Sequence, residues 1–193
     1  MSKKNFSGEY HLTGVHEMAS GFNFTPDGKY EFYYVYGAMD RVSSGTYTVE
    51  GDTIKLKSNK IPGQDFNITN QKKQDSGYTI RISDPNTILA NNVHCIYYVN
   101  VQQFEEYTDN SGVIRIQQDS CEKIYIRHGL YLDIPMLIKD ETNSNNYFEV
   151  TLKPSLQEVS FQGIDFFIKE DMITCLPNYF MPMDEIRYEK VKS

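Results

Sequence analysis

The chain has 193 residues, 39% of them apolar and 23% charged, and its 19 basic and 26 acidic side chains leave a net charge of −7. That length allows one large domain or two small ones, and the composition excludes wholesale disorder. The acidic balance argues against a broad basic face, so no nucleic-acid partner is expected. No apolar run approaches the ~20 residues that cross a bilayer, and the opening Met1-Ser2-Lys3-Lys4 lacks the apolar stretch of a signal peptide. No membrane association is therefore expected. The expected location is cytoplasmic, unless a leader has been trimmed.

Residues 1–100 carry ten basic and ten acidic groups, whereas residues 101–193 carry nine and sixteen. With no long run of like charge, this excess reads as a solvated acidic face. The fifteen tyrosines and eleven phenylalanines, with no tryptophan, fall in segments of five to eight residues with period-two hydrophobicity. Those segments are bounded by Gly, Asp, Asn and Pro, the pattern of half-buried strands and tight turns. The expected fold class is all-β, an antiparallel meander followed by an immunoglobulin-type β-sandwich.

Residues 1–58 predict a five-stranded meander with strands near 8–13, 22–25, 30–36, 43–49 and 53–57. Pro26-Asp27-Gly28 and Glu50-Gly51-Asp52 supply its turns, since Pro fixes φ, Asp caps and Gly accepts positive φ. In an up-and-down meander alternate connections share an end of the sheet. The loops 14–21 and 37–42 should therefore meet, bringing His16, Glu17, Asp40 and Arg41 together. Two uses of that rim are open. Arg41 could pair with Glu17 or Asp40 and pin the loops, or Arg41 with Tyr33 and Tyr36 could recognise a small anion, sugar or other small molecule. A hydrolase would need Asp40 to orient His16 toward Ser43 or Ser44, and no nucleophile elbow accompanies them. Tyr30-Glu31-Phe32-Tyr33-Tyr34-Val35-Tyr36 places aromatics on both faces of one strand, with Glu31, Tyr33 and Val35 sharing the outer one.

Residues 59–76 are polar and read as a connecting segment, with a short strand at 66–69. From 77 to 193, nine strands are expected near 78–82, 93–100, 113–117, 121–126, 147–153, 158–161, 166–168, 173–176 and 185–189. Nine short strands suit a sandwich. Cys95, Cys121 and Cys175 lie singly in apolar surroundings and read as buried thiols, although one disulfide is open. Four histidines and no zincin or CxxC spacing leave no metal site and no cofactor expected. His94 and His128 are expected on or beside strands, partnered by backbone or water. Leu176-Pro177-Asn178-Tyr179-Phe180-Met181-Pro182-Met183 is apolar where a loop would be polar, and its prolines bar it from a central strand. It either folds back over the core or exposes Leu176, Tyr179, Phe180, Met181 and Met183 to a protein partner or a second copy.

Two resemblances follow from these segments. Gly77-Tyr78-Thr79-Ile80-Arg81-Ile82-Ser83-Asp84, then Asn92-Val93-His94-Cys95-Ile96-Tyr97-Tyr98, then Tyr107-Thr108-Asp109-Asn110-Ser111-Gly112-Val113-Ile114-Arg115-Ile116 resembles the opening of carboxypeptidase-regulatory-like (transthyretin-like) β-sandwich domains. The resemblance implies a non-catalytic sandwich that packs against neighbours or displays loops, and it carries no site residues. The first half, with Phe22-x-Phe24-x-Pro26-Asp27-Gly28 and Gly45-Thr46-Tyr47, is similar in pattern to lipocalin-like meanders, but five strands are too few to close a ligand-holding barrel alone. The leading expectation is a non-enzymatic binding or protein-interaction protein. A small-molecule or carbohydrate-binding module at loops 14–21 and 37–42 is the alternative, and a hydrolase comes third.

Overall fold

A computed structural model describes residues 6–37 and 39–192. The chain is all-β and its strands divide between two compact units. One unit is formed by residues up to Ile61 together with those from Gln157 onward; the other is Pro62–Leu156. The boundary differs from the 1–58, 59–76 and 77–193 division expected above. Period-two hydrophobicity marks a strand but not its partner, and the last strands pair back with the first ones.

The first unit opens with β1 (Gly8–Leu12), β2 (Met18–Phe24), β3 (Lys29–Tyr36), β4 (Met39–Glu50) and β5 (Thr53–Ser58). The second unit contributes β6 (Phe66–Lys72), β7 (Tyr78–Ser83), a short helix α1 (Thr87–Ala90), β8 (Val93–Val99), β9 (Gln102–Tyr107), β10 (Val113–Ile116), β11 (Lys123–His128), β12 (Met136–Lys139) and β13 (Tyr147–Leu152). The chain then returns to the first unit with β14 (Asp165–Lys169), β15 (Met172–Cys175) and β16 (Ile186–Lys190).

Strands β1–β5 form the expected meander, but not an open one. Strand β14 adds to β5, β15 and β16 follow, and β16 pairs with β1, closing an eight-stranded barrel. The strands that the meander lacks for closure thus come from the far end of the chain. An eight-stranded barrel has an interior just wide enough for side chains to fill, and aromatic rings fill this one. Phe161, fully buried, has its ring centroid 4.9 Å from Phe32, 5.4 Å from Phe22, 5.6 Å from Phe166 and 5.6 Å from Phe180. Burying such a ring contributes about 1.5–3 kcal/mol. Residues 158–161, expected as a strand, make only one bridge, parallel between Val42 and Glu158, before Phe161 enters the core.

Gly45 marks the corner where β4 passes from pairing with β3 to pairing with β5. A Cβ there would lie 2.0 Å from the Lys57 carbonyl oxygen. Only glycine allows so close an approach of two backbones.

Within Pro62–Leu156, two four-stranded sheets, β10-β7-β13-β6 and β12-β11-β8-β9, share one core. It is built largely from isoleucines, among them Ile80, Ile114, Ile124 and Ile126. Every pairing is antiparallel except β7 with β13. Asp109 caps the turn before β10, accepting from the Ser111 and Val113 amides at 2.8 and 3.0 Å. Strand β9 was not anticipated from the sequence; all six of its residues are exposed, so it shows no alternation. Among the described residues no helix is long and apolar enough to cross a membrane.

Candidate functional site

The register brings segments 14–21 and 37–42 to one end of the barrel, Met18 opposite Tyr36 and Tyr36 opposite Met39, but the pairing expected there is not made. Strand β2 begins at Met18 and β4 at Met39, so much of both segments is sheet, and Ala38 lies outside the described residues. Alternation along β4 sends Asp40 outward and Arg41 inward. Among the described residues, His16, Glu17 and Asp40 make no side-chain hydrogen bond or ion pair, so Arg41 pairs with neither carboxylate. Arg41 is 2% exposed. Its Nη2 donates to the Glu158 carbonyl at 3.2 Å, and Lys60 Nζ donates to the same oxygen at 2.8 Å. The guanidinium carbon lies 5.8 Å from the Phe180 ring centroid and 6.0 Å from that of Tyr179. A cation so placed fastens the 158 and 179–180 segments to the barrel.

The Pro-containing loop folds back. Phe180 and Met181 are buried in the barrel core, and Met183 packs partly against it. The Tyr179 hydroxyl donates to the Ser160 carbonyl at 3.1 Å and accepts from the Ser160 amide at 3.2 Å. Leu176 alone of the five is largely exposed, at 72%. The expected interface of Leu176, Tyr179, Phe180, Met181 and Met183 is therefore corrected: Phe180 and Met181 are needed by the barrel, whose end they fill.

The hydrolase arrangement is also absent. Ser43 faces inward and its hydroxyl is 3.0 Å from that of Tyr30, while Ser44 Oγ accepts from Asn59 Nδ2 at 3.1 Å. All three cysteines are free and buried. Burial pushes the Cys121 thiol up to about 11 and the Cys175 thiol up to about 12, so none of the attacking thiolate forms near neutrality. Among the described residues no group of three or more His, Cys, Asp or Glu side chains is placed to hold a metal ion.

Two histidines are bound on both ring nitrogens. His128 Nδ1 accepts the Leu130 and Tyr131 amides at 3.1 and 3.2 Å, which leaves Nε2 to donate to the Leu89 carbonyl. This is the backbone partnership expected. His94, also on a strand, instead takes side-chain partners. Arg127 Nε donates to its Nδ1 at 3.1 Å, so Nε2 carries the proton toward Glu105, 3.1 Å away, and Tyr107 stacks on the ring at 4.6 Å.

What the outer face of the barrel does assemble is a groove of about 580 Å³, within the range of small-molecule sites. Register builds it in two rows across β1–β4. One row is Glu9, Asn23, Glu31 and Ser44; the next is His11, Gly21, Tyr33 and Val42. Glu158, bridged to Val42, adds a wall. Gly21 lets two rings pack down onto the sheet: a Cβ there would sit 2.7 Å from Tyr33 Cε1 and 3.1 Å from His11 Cδ2. The two ring centroids are 6.4 Å apart, and Tyr33 is 41% exposed. Of the residues expected to bind a ligand, only Tyr33 lines this groove; Tyr36 is exposed at the end of β3. The others were missed because they belong to strands rather than loops. Their signal was the shared outer face of Glu31 and Tyr33, together with a glycine inside an alternating strand. A larger hollow at the tight-turn end of the barrel is lined partly by Phe6 and Ser7, next to the undescribed residues 1–5.

Compared with known proteins, the chain matches no family model and no curated protein.

Proposed function

We propose that the chain is a non-enzymatic binding protein that takes a small molecule or a sugar on the outer face of its barrel. The observation that carries this reading is the groove around Tyr33, His11 and Asn23, because the barrel interior is occupied by the protein's own rings. A phenol ring beside convergent polar groups offers both stacking and hydrogen bonds, the two ingredients of small-ligand recognition. The direct test is a thermal-shift screen of the full chain against glycans, lipids and amines. A ligand at 100 times its Kd stabilises by about 2.7 kcal/mol, and Tyr33→Ala should remove that gain while leaving the unliganded melting temperature nearly unchanged. A chain stabilised by nothing, or a gain indifferent to Tyr33→Ala, contradicts the reading.

A protein-interaction role has separate support in β9, an edge strand exposed at every residue. Edge strands present unpaired backbone groups that a further strand can join. The inserted sandwich is also the part that carries the transthyretin-like residues, and such domains pack against neighbours. Light scattering at rising concentration, paired with hydrogen exchange on β9, tests self-association. Slowed β9 exchange in an assembled form supports the role, and a monomer with unchanged β9 exchange removes self-association.

A further inference from the structure

Resting on the groove reading above, we propose that the ligand is an organic cation, a primary amine or guanidinium carried on a short apolar or polyol body. Three glutamates, Glu9, Glu31 and Glu158, line the groove, and among the described residues no lysine or arginine lines it. None of the three makes a side-chain hydrogen bond or ion pair among the described residues. Elsewhere on the barrel, Lys29 pairs with Asp27 and Lys55 with Glu50. Among the described lining residues acidic side chains thus stand without basic ones; Arg41 and Lys60, both buried, bind the Glu158 carbonyl rather than its carboxylate.

The register says where a cation would sit. Glu9 and Glu31 flank Asn23 on either side, two strand spacings or roughly 10 Å apart. An ammonium or guanidinium between them reaches a carboxylate from each side and the Asn23 amide oxygen from below. One row along, Tyr33 lies over Gly21 beside His11, and the exposed part of its ring is left to cover the ligand's body and to meet the cation. An anion entering the same groove meets like charge on three sides. A neutral sugar forgoes the ionic contacts and keeps only neutral hydrogen bonds and stacking on a single tyrosine.

The experiment is calorimetric titration of the full chain with agmatine, N-acetylglucosamine and glucuronate, with amide and aromatic NMR shifts recorded in parallel. Agmatine should bind, perturb His11, Asn23 and Tyr33, and weaken as ionic strength rises. Glu31→Gln should weaken it about five-fold, the scale of a partly exposed ion pair, and the double variant with Glu9→Gln further still. Both variants change exposed side chains and should keep the wild-type far-ultraviolet spectrum. Agmatine binding that is indifferent to both substitutions overturns the proposal. If N-acetylglucosamine or glucuronate moves the groove resonances and agmatine does not, the cation falls while the groove reading stands. If no probe moves them, both fall.

Discussion

The two units solve the same problem with different side chains. The barrel is closed, without edges, and is filled by rings such as Phe22, Phe32, Phe161, Phe166 and Tyr188. The sandwich is open at both sheets and is filled by isoleucines such as Ile80, Ile114 and Ile126. The interior of an eight-stranded barrel is just wide enough for side chains to fill, and here aromatic rings take most of it. Two facing sheets about 10 Å apart interdigitate well with β-branched side chains. They differ in chain path too: the sandwich is one continuous segment, whereas the barrel needs two segments separated by about half the sequence. The contrast teaches that composition tracks architecture more closely than chain order does.

The largest effect should come from chain path. A fragment of 62–156 carries a whole core and should give a cooperative, sheet-rich melt. A 1–58 fragment lacks β14–β16 and should show none, because five strands leave the aromatic interior open. A cooperative 1–58 fragment would dissolve the contrast.

Side-chain truncation should sharpen it. Phe161→Ala removes the ring on which the barrel aromatics converge, and denaturant titration should show a loss of about 3–5 kcal/mol. Ile114→Val in the sandwich removes one methylene and should cost only about 0.5–1.5 kcal/mol. At the barrel corner, Gly45→Ala drives a methyl against the Lys57 carbonyl and should cost about 3 kcal/mol, at the upper end of overpacking.

Near neutrality the smallest effect should be that of pH. Burial pushes Tyr10 up to about 12, raises Tyr188 further and lifts Cys175 to about 12 in the barrel. In the sandwich it lifts Cys121 to about 11 and raises Cys95. Each of these acids is neutral in the fold and ionises more easily when unfolded. Their contribution is therefore complete below the ordinary thiol value of 9.0 and is lost as pH rises toward the folded values. Melting temperature should be flat from neutrality up to that point and fall above it. With two buried tyrosines as well as a thiol titrating late, the barrel should lose more than the sandwich, and tyrosinate absorbance would follow the loss. A melting temperature that rises with alkali would contradict this.

Much of this fold was legible in the residues. Alternation placed Ile54 and Leu56 inside, the Pro26-Asp27-Gly28 turn fell where β2 meets β3, and Asp109 caps as its position promised. Pairing was not legible, because β14–β16 look no different from strands that would close a sandwich. Strand β9 was hidden since neither of its faces is buried. Arg41 misled because a buried cation at an inward position of β4 breaks the alternation that would have marked 39–42 as strand. The groove was half visible, in the outward Glu31 and Tyr33, but its other residues lie on neighbouring strands whose register no local pattern supplies.

The account turns on binding outside a filled barrel rather than within it. Chemical-shift mapping with any ligand that stabilises the full chain tests this most directly. The predicted result is movement of the outward residues His11, Asn23, Tyr33 and Ser44, with Phe161, Phe166 and Tyr188 unmoved. Shifts concentrated on those three interior rings, with the outer rows silent, would contradict it.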